Sequence, residues 1–410
     1  MPIAVLCKND SLSQRRIMYY TNCYYKGKKE PAKKFPYRTP MVNQVIQKYA
    51  ADEMSGTGAA ARMAEDVISN RSAFCPPHKL IMNVSDKCNF SCKMCAFHPG
   101  QQKNDMTLDK WKALVWETCH ANVVYTLFGG EPLLYPDIDE LVSYMGQLGV
   151  QMYIVTNGSL LEKHLGVLLE NHCHIVLSLD GVGKVHDTIR GYHGSFAKIE
   201  EMLVRIFGNG TPQEQKLVSI NSVLLPENAD SVRSLIDYLY GIGVPYVSFQ
   251  HLQYFGENER EKTDRIWRDF FRQPFTCTLQ PRKKFVFNQK NLEKLKAAVR
   301  DIRKAKQVYK DMGIYIDPDF SEEELEIYFS GDHERLQNKS LCMNPWASAT
   351  VSVDGSISLC LDACIGNFME QNFWSAWYGE KAQTFRKCVA DQVFPVCTRC
   401  CNFYNSYIPD

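Results

Sequence analysis

From residue 79 onward, apolar positions alternate in short runs, and these runs are separated by longer stretches with helical spacing. The alternating runs predict strands at Leu80–Ser85, Val123–Phe128, Gln151–Thr156, His174–Leu179, Val218–Leu224 and Tyr246–Leu252. The helical stretches between them are Leu108–His120, Ile138–Leu148, Leu160–Glu170, Phe196–Phe207 and Ala229–Tyr240. Strict strand–helix alternation predicts an α/β fold with a parallel sheet and outer helices. Right-handed crossovers would curl six such strands into an open, partial (β/α)6 TIM-like barrel, with the chemistry at the C-terminal strand ends.

The flanks have a different texture. Residues 1–78 read as a basic arm, Lys26 to Arg38, followed by two helices. The first begins at Thr39-Pro40, an N-cap followed by proline, and carries Val42, Val45, Ile46 and Tyr49 on one face. The second covers Ala59 to Ile68. The basic arm reads as solvated surface. Residues 256–340 are rich in charge and helix formers, as in Asn291–Lys310 and Ser321–Phe329, and read as a helical connector. Residues 341–410 hold seven of the sixteen cysteines. The expected division is therefore 1–78, 79–255, 256–340 and 341–410.

Composition changes this picture in one respect. At 45% hydrophobic and 23% charged the chain is an ordinary globular one. A net charge of +1 gives no field toward nucleic acid or anionic lipid. No apolar run is long enough to span a membrane, and the N-terminus does not read as a secretory signal, so a cytoplasmic protein is expected. Sixteen cysteines in such a chain point to metal or cluster ligation rather than disulfides.

The spacing supports ligation. The first strand runs into Asp86-Lys-Cys88-Asn-Phe-Ser-Cys92-Lys-Met-Cys95, a C-x3-C-x2-C loop. Three thiolates on one short loop can hold three irons of a cubane cluster and leave the fourth iron open to a small chelating molecule. Structural zinc, with His98 as a fourth ligand, is the competing reading. The second strand ends in Gly129-Gly130-Glu131-Pro132, the third in Thr156-Asn157-Gly158, and the fourth in Ser178-Leu179-Asp180-Gly181. Next come His186-Asp187-Thr-Ile-Arg190-Gly191 and, on the fifth strand, Asn221. In the tail, Cys342-x12-Gly355-x4-Cys360 precedes Cys397-x2-Cys400-Cys401, and Asp354-Gly355 reads as a hairpin turn.

In order and spacing these features resemble the radical S-adenosylmethionine (SAM) superfamily with a C-terminal auxiliary iron–sulfur domain of the SPASM or shorter twitch type. The resemblance implies a [4Fe-4S] cluster on Cys88, Cys92 and Cys95 that splits SAM to a 5′-deoxyadenosyl radical. Met94 stands where that family often has an aromatic residue. The resemblance assigns Gly129, Gly130 and Glu131 to the SAM amino group, and Asn157, Ser178 and Asp180 to its ribose and methionine. It assigns Arg190 to the SAM carboxylate and Asn221 to a further contact. A second, auxiliary [4Fe-4S] cluster is expected on Cys342, Cys360, Cys397 and Cys400, with Cys401 competing for the last place and zinc as the alternative. The seven-cysteine pattern for two auxiliary clusters is absent. Cys364 is the candidate hydrogen donor, since some members that epimerise substrates use a free thiol. His251, Gln253 and Tyr254, at the end of the sixth strand, are candidates to face the substrate.

The favoured expectation is oxidation or epimerisation of a small molecule such as a sugar or aminocyclitol. The alternatives are modification of a ribosomal peptide, by epimerisation or by a thioether or C–C crosslink, and a non-catalytic zinc protein. An electron donor such as flavodoxin or ferredoxin is the expected partner. Neither nucleic acid nor membrane is expected.

Overall fold

The computed structural model describes residues 76–96, 106–277, 288–330, 342, 344–360, 363–391 and 393–400. The two helices expected before residue 70, the basic arm, His98 and Cys401 lie outside the described residues.

The strands are β1 (Lys79–Ser85), β2 (Val124–Gly129), β3 (Met152–Thr156), β4 (His174–Ser178), β5 (Val218–Leu224), β6 (Tyr246–His251), β7 (Gly313–Asp317), β8 (Ser348–Val351), β9 (Ser356–Ser358) and β10 (Cys364–Asn367). The main helices are α1 (Leu108–Thr118), α2 (Ile138–Gln147), α3 (Leu161–Glu170), α4 (Lys184–Arg190), α5 (Ser195–Asn209), α6 (Val232–Gly241), α7 (Glu257–Phe271), α8 (Gln289–Val308), α9 (Glu322–Ser330) and α10 (Glu380–Asp391). All ten strands form one sheet in the order β10-β9-β8-β1-β2-β3-β4-β5-β6-β7. Strands β1 to β7 are parallel to their neighbours, so each crossover must pass over a face of the sheet.

Local sequence accounts for these elements. Thr107 caps α1 by accepting from the Lys110 N–H, and Trp111, Leu114, Val115 and Thr118 form its buried face. In β5, Val218, Ile220, Ser222 and Leu224 are buried, while Ser219, Asn221 and Val223 are half-buried on the other face. Parallel register carries that second face across the sheet: Ser178 stands opposite Asn221, and Asn221 opposite Ser248.

Two features depart from the expected organisation. The connector read as helical also supplies β7, which pairs parallel with β6 at the sheet edge. Its five residues, Gly-Ile-Tyr-Ile-Asp, are too short a run to register inside a charged helical stretch. The C-terminal segment extends the barrel sheet rather than forming a separate one. Strand β8 pairs parallel with β1, from Lys79 opposite Ser348 to Met82 opposite Val351. The expected hairpin is present: β8 and β9 are antiparallel, and Gly355 sits at φ +80° in the turn. A Cβ there would also lie 2.6 Å from Asn367 Oδ1, so glycine is required twice over.

Candidate functional site

The cysteine loop leaves β1 at Ser85 and is tied at three points. The Gly130 N–H donates to the Ser85 carbonyl (2.8 Å), and the Glu131 N–H donates to the Lys87 carbonyl (2.8 Å). The Lys93 N–H donates to the Ile189 carbonyl (2.9 Å) in the last turn of α4. Two glycines make these approaches feasible. A Cβ on Gly129, at φ +131°, would lie 2.4 Å from the Ser85 carbonyl oxygen. One on Gly191, the left-handed cap of α4, would lie 2.5 Å from the Ser91 carbonyl oxygen.

Around the loop an apolar cluster forms from Phe90, Cys92, Met94, Ile189, Leu225 and Leu252, with Cys88, Cys95 and Tyr254 packed against it. Met94 is buried within this cluster. Phe90 stacks on Tyr192 at 4.6 Å. Burial pushes the Cys92 thiol up to about 11, while the Arg190 guanidinium works against this. Arg190 Nη1 lies 3.9 Å from Cys92 Sγ, and Arg190 Nε lies 2.6 Å from Asp180 Oδ2. The Arg190–Asp180 pair is therefore buried against a thiol rather than exposed on the surface.

Several residues assigned to SAM are held by protein groups. Glu131 is buried, and its carboxylate accepts from Thr156 Oγ1 (2.7 Å), the Asn157 N–H (2.8 Å) and the Leu133 N–H (3.1 Å). That carboxylate ties the ends of β2 and β3 together. Burial raises its pKa against these three donors. Asn157 donates to Asn89 Oδ1 in the cysteine loop (3.0 Å) and accepts from the Ser159 N–H (2.9 Å). Asp180 Oδ1 accepts from the Val223 N–H (2.8 Å) while Oδ2 faces Arg190. Asn221 Nδ2 donates to Gln250 Oε1 (3.2 Å), and its Oδ1 is buried without a hydrogen-bond donor. An orphaned buried acceptor costs about 1–3 kcal/mol unless a ligand or water fills it.

In the tail, the thiols of Cys342, Cys360 and Cys400 all act on Cys397. Burial first, and then these three neighbours, raise the Cys397 thiol well above its ordinary pKa. Four thiols from Cys342 to Cys400 thus converge, which is the donor set an iron–sulfur cluster takes as thiolates. Among the described residues, no three His, Cys, Asp or Glu side chains are drawn together at single-ion spacing. Cys364 is not among the three thiols that act on Cys397. It is exposed and lines a cavity of about 310 Å³ with Trp267, Phe271, Glu380 and Phe385. Cys388 and Cys173 are buried, and burial alone pushes Cys173 up to about 12.

Of the three candidates at the end of β6, one is displaced. His251 does not face the barrel mouth; it is buried among the rings of Phe320, Tyr328 and Phe329, at 5.0, 5.9 and 6.3 Å. Burial lowers its pKa to about 4. The odd and even positions of β6 explain this: Val247, Phe249 and His251 share the buried face, while Gln250 shares the open one with Asn221. Sequence reasoning missed Asp187, which accepts from the Gly194 N–H, Ser195 Oγ and the Phe196 N–H and so anchors the start of α5. Its place three residues before Arg190 was a usable signal.

Comparison with known proteins agrees with this geometry. The model of the radical SAM superfamily matches residues 82–239, and that of the SPASM iron–sulfur cluster-binding domain matches residues 342–401. The chain thus carries a radical SAM domain followed, at its C-terminal side, by a SPASM iron–sulfur domain. It is 25% identical over 211 residues to Fe-coproporphyrin III synthase of Methanosarcina barkeri, covering 50% of this chain and 51% of that one. It is 26% identical over 197 residues to PqqA peptide cyclase of Xanthomonas axonopodis pv. citri, covering 46% and 50%. The chain therefore spans about half the length of the curated relatives it matches. Streptococcus suis SuiB bound to S-adenosylmethionine shares the fold at a TM-score of 0.55 and 15% identity, over 82% of this chain and 76% of that one. The structure of anSMEcpe with AdoMet and the Cp18Cys peptide shares it at 0.52 and 19%, over 79% and 86%.

Proposed function

We propose that this chain cleaves SAM at a [4Fe-4S] cluster held by Cys88, Cys92 and Cys95 and uses the resulting radical on a peptide. The observation that carries the first half is the three-thiol loop at the end of β1, with Arg190 set against Cys92 at 3.9 Å. When bound and reduced, the cluster would supply the one electron that splits SAM into methionine and a 5′-deoxyadenosyl radical able to take hydrogen from the substrate. The protein's own groups do the rest. The carbonyls of the Gly129–Glu131 turn receive the SAM ammonium. Arg190 offers its remaining N–H groups to the SAM carboxylate. Ser178 and Asn221 face the same side of the sheet and offer a hydroxyl and an unpaired carbonyl oxygen to the ligand.

Cys342, Cys360, Cys397 and Cys400 hold a second [4Fe-4S] cluster in this reading, and a flavodoxin or ferredoxin supplies electrons in a reducing cytoplasm. Among the described residues no helix is long and apolar enough to cross a membrane.

A peptide is preferred to a sugar or aminocyclitol because of the PqqA peptide cyclase relatives at 26% identity. The Fe-coproporphyrin III synthase relative favours a tetrapyrrole as the second reading. Cys364 is the hydrogen donor if the product is an epimer. The test is 5′-deoxyadenosine formation by the anaerobically reconstituted chain, with dithionite and SAM, against short peptides, coproporphyrin and aminocyclitols. Stimulation by peptide with a change in peptide mass supports the reading; stimulation by another class alone refutes the peptide, and no cleavage in any condition refutes the enzyme.

A further inference from the structure

The loop carrying Cys397 and Cys400 is joined to the barrel by one buried ion pair. Arg399, between the two cysteines, places Nη2 3.0 Å from Glu259 Oε1, with both side chains under one-tenth exposed. Glu259 lies in the first turn of α7, where the helix N-terminus favours a carboxylate. Gly256 makes room for it, since a Cβ there would lie 1.9 Å from Glu259 Oε2. The other face of the guanidinium is 4.2 Å from the Tyr254 ring centroid. Around this pair, the Val396 N–H donates to Thr263 Oγ1 (3.2 Å), and the Tyr328 hydroxyl lies 3.0 Å from the carbonyl oxygens of both Arg399 and Leu252.

Tyr254 packs against two groups of side chains. One is the small apolar cluster that contains Cys92, against which Cys88 and Cys95 also pack, and the other is the main hydrophobic core. The Arg399–Tyr254 contact therefore joins the Cys397–Cys400 loop to the side chains around the first cysteine loop. A bidentate-capable guanidinium buried here, with a dedicated counter-charge and a glycine that admits it, is more than a surface tie needs.

We infer that Arg399, held by Glu259 and Tyr254, is a positioning residue that sets the reduction potential of the auxiliary centre. This rests on the proposed iron–sulfur occupancy of the four C-terminal thiols. A cluster gains one negative charge on reduction, so a fixed cation beside its ligand loop favours the reduced state, and a buried anion disfavours it. The two members of the pair must then act with opposite sign. Arg399→Gln leaves the Glu259 carboxylate uncompensated and lowers the potential. Glu259→Gln leaves the guanidinium uncompensated and raises it.

The test is a spectroscopically monitored redox titration of the full chain in a Cys88→Ala, Cys92→Ala, Cys95→Ala background, where only the C-terminal cluster titrates. Arg399→Gln is expected to move the midpoint lower, Glu259→Gln higher, and Arg399→Lys less than Arg399→Gln. Shifts of the same sign in both Gln variants, or no shift in either, would overturn the inference. If Arg399→Gln fails to take up iron, Glu259→Gln decides alone, and an unmoved or lowered midpoint overturns it. An iron-free parent would overturn the occupancy and the inference together, and it is told apart because it appears before Arg399 or Glu259 is touched.

Discussion

The two cysteine sites are built in opposite ways. Cys88, Cys92 and Cys95 lie on one loop, and the protein's effort goes into fixing that loop: Gly129 and Gly191 let neighbouring backbone approach it, and Asn89 ties it to Asn157. Cys342, Cys360, Cys397 and Cys400 come from distant segments and meet only because β8 pairs with β1 and the Cys397 loop docks on α7 and α9. The first site is local sequence held rigid. The second is a product of the tertiary fold, so its thiols also cross-link that fold once they are ligated.

The largest difference should appear on removing a thiol. Cys397→Ala should lose about four of about eight irons while SAM cleavage persists, because the first site needs nothing from the tail to bind its cluster. It should also lower the melting temperature of the loaded protein, read by calorimetry under anaerobic conditions, since bound metal contributes to folding stability. Equal loss of SAM cleavage would show that the two sites are not separable.

Next come the backbone approaches. Gly129→Ala and Gly191→Ala each put a Cβ within 2.5 Å of a carbonyl oxygen at positive φ. Each should cost about 1–3 kcal/mol in chemical unfolding and impair iron uptake at the first site more than at the second. Uniform loss at both sites would mean global misfolding rather than a displaced loop.

The Glu131 tie is weaker but more specific. Glu131→Gln turns an amide NH2 toward a donor now satisfied by the carboxylate, at a cost of about 1–3 kcal/mol. SAM affinity, measured by equilibrium binding, should fall less than stability if the backbone of the turn, rather than this side chain, receives the ammonium.

Asp187 offers a test by pH. Burial would raise its pKa, but the donors Phe196 N–H, Gly194 N–H and Ser195 Oγ outweigh this and hold it below the ordinary value. A depressed carboxyl contributes stability above its unfolded pKa and loses it as pH falls through the folded one. Asp187→Asn should therefore be less stable than the parent at neutral pH, with the gap closing in the acid range. A gap independent of pH would contradict the account. The smallest effect is expected at Cys364, which is not among the thiols acting on Cys397: Cys364→Ala should keep its full iron content.

The same contrast explains what could be read from sequence. The alternation of β1 to β6 with helices was legible because each element carries its own period, and the C-x3-C-x2-C loop was legible because its ligands are neighbours. Strand β7 was hidden because Ile314 and Ile316 offer too short a pattern. The commitments of Glu131 and Asp180 to protein donors were hidden because they depend on Thr156 and Val223, on other strands. His251 was misplaced because register decides which face a strand-end residue takes. The auxiliary set was read from the hairpin at Asp354-Gly355, the Cys397-x2-Cys400 pair and the resemblance, because nothing local in the sequence brings Cys342 to Cys397.

The most direct test of the two-site account is iron and sulfide content after anaerobic reconstitution, for wild type and for the Cys88→Ala, Cys92→Ala, Cys95→Ala chain, with 5′-deoxyadenosine measured in parallel. The account predicts about eight irons in the wild type and about four in the variant, with SAM cleavage in the wild type alone. Zinc without iron at both sites and no cleavage, or cleavage that survives in the variant, would contradict it.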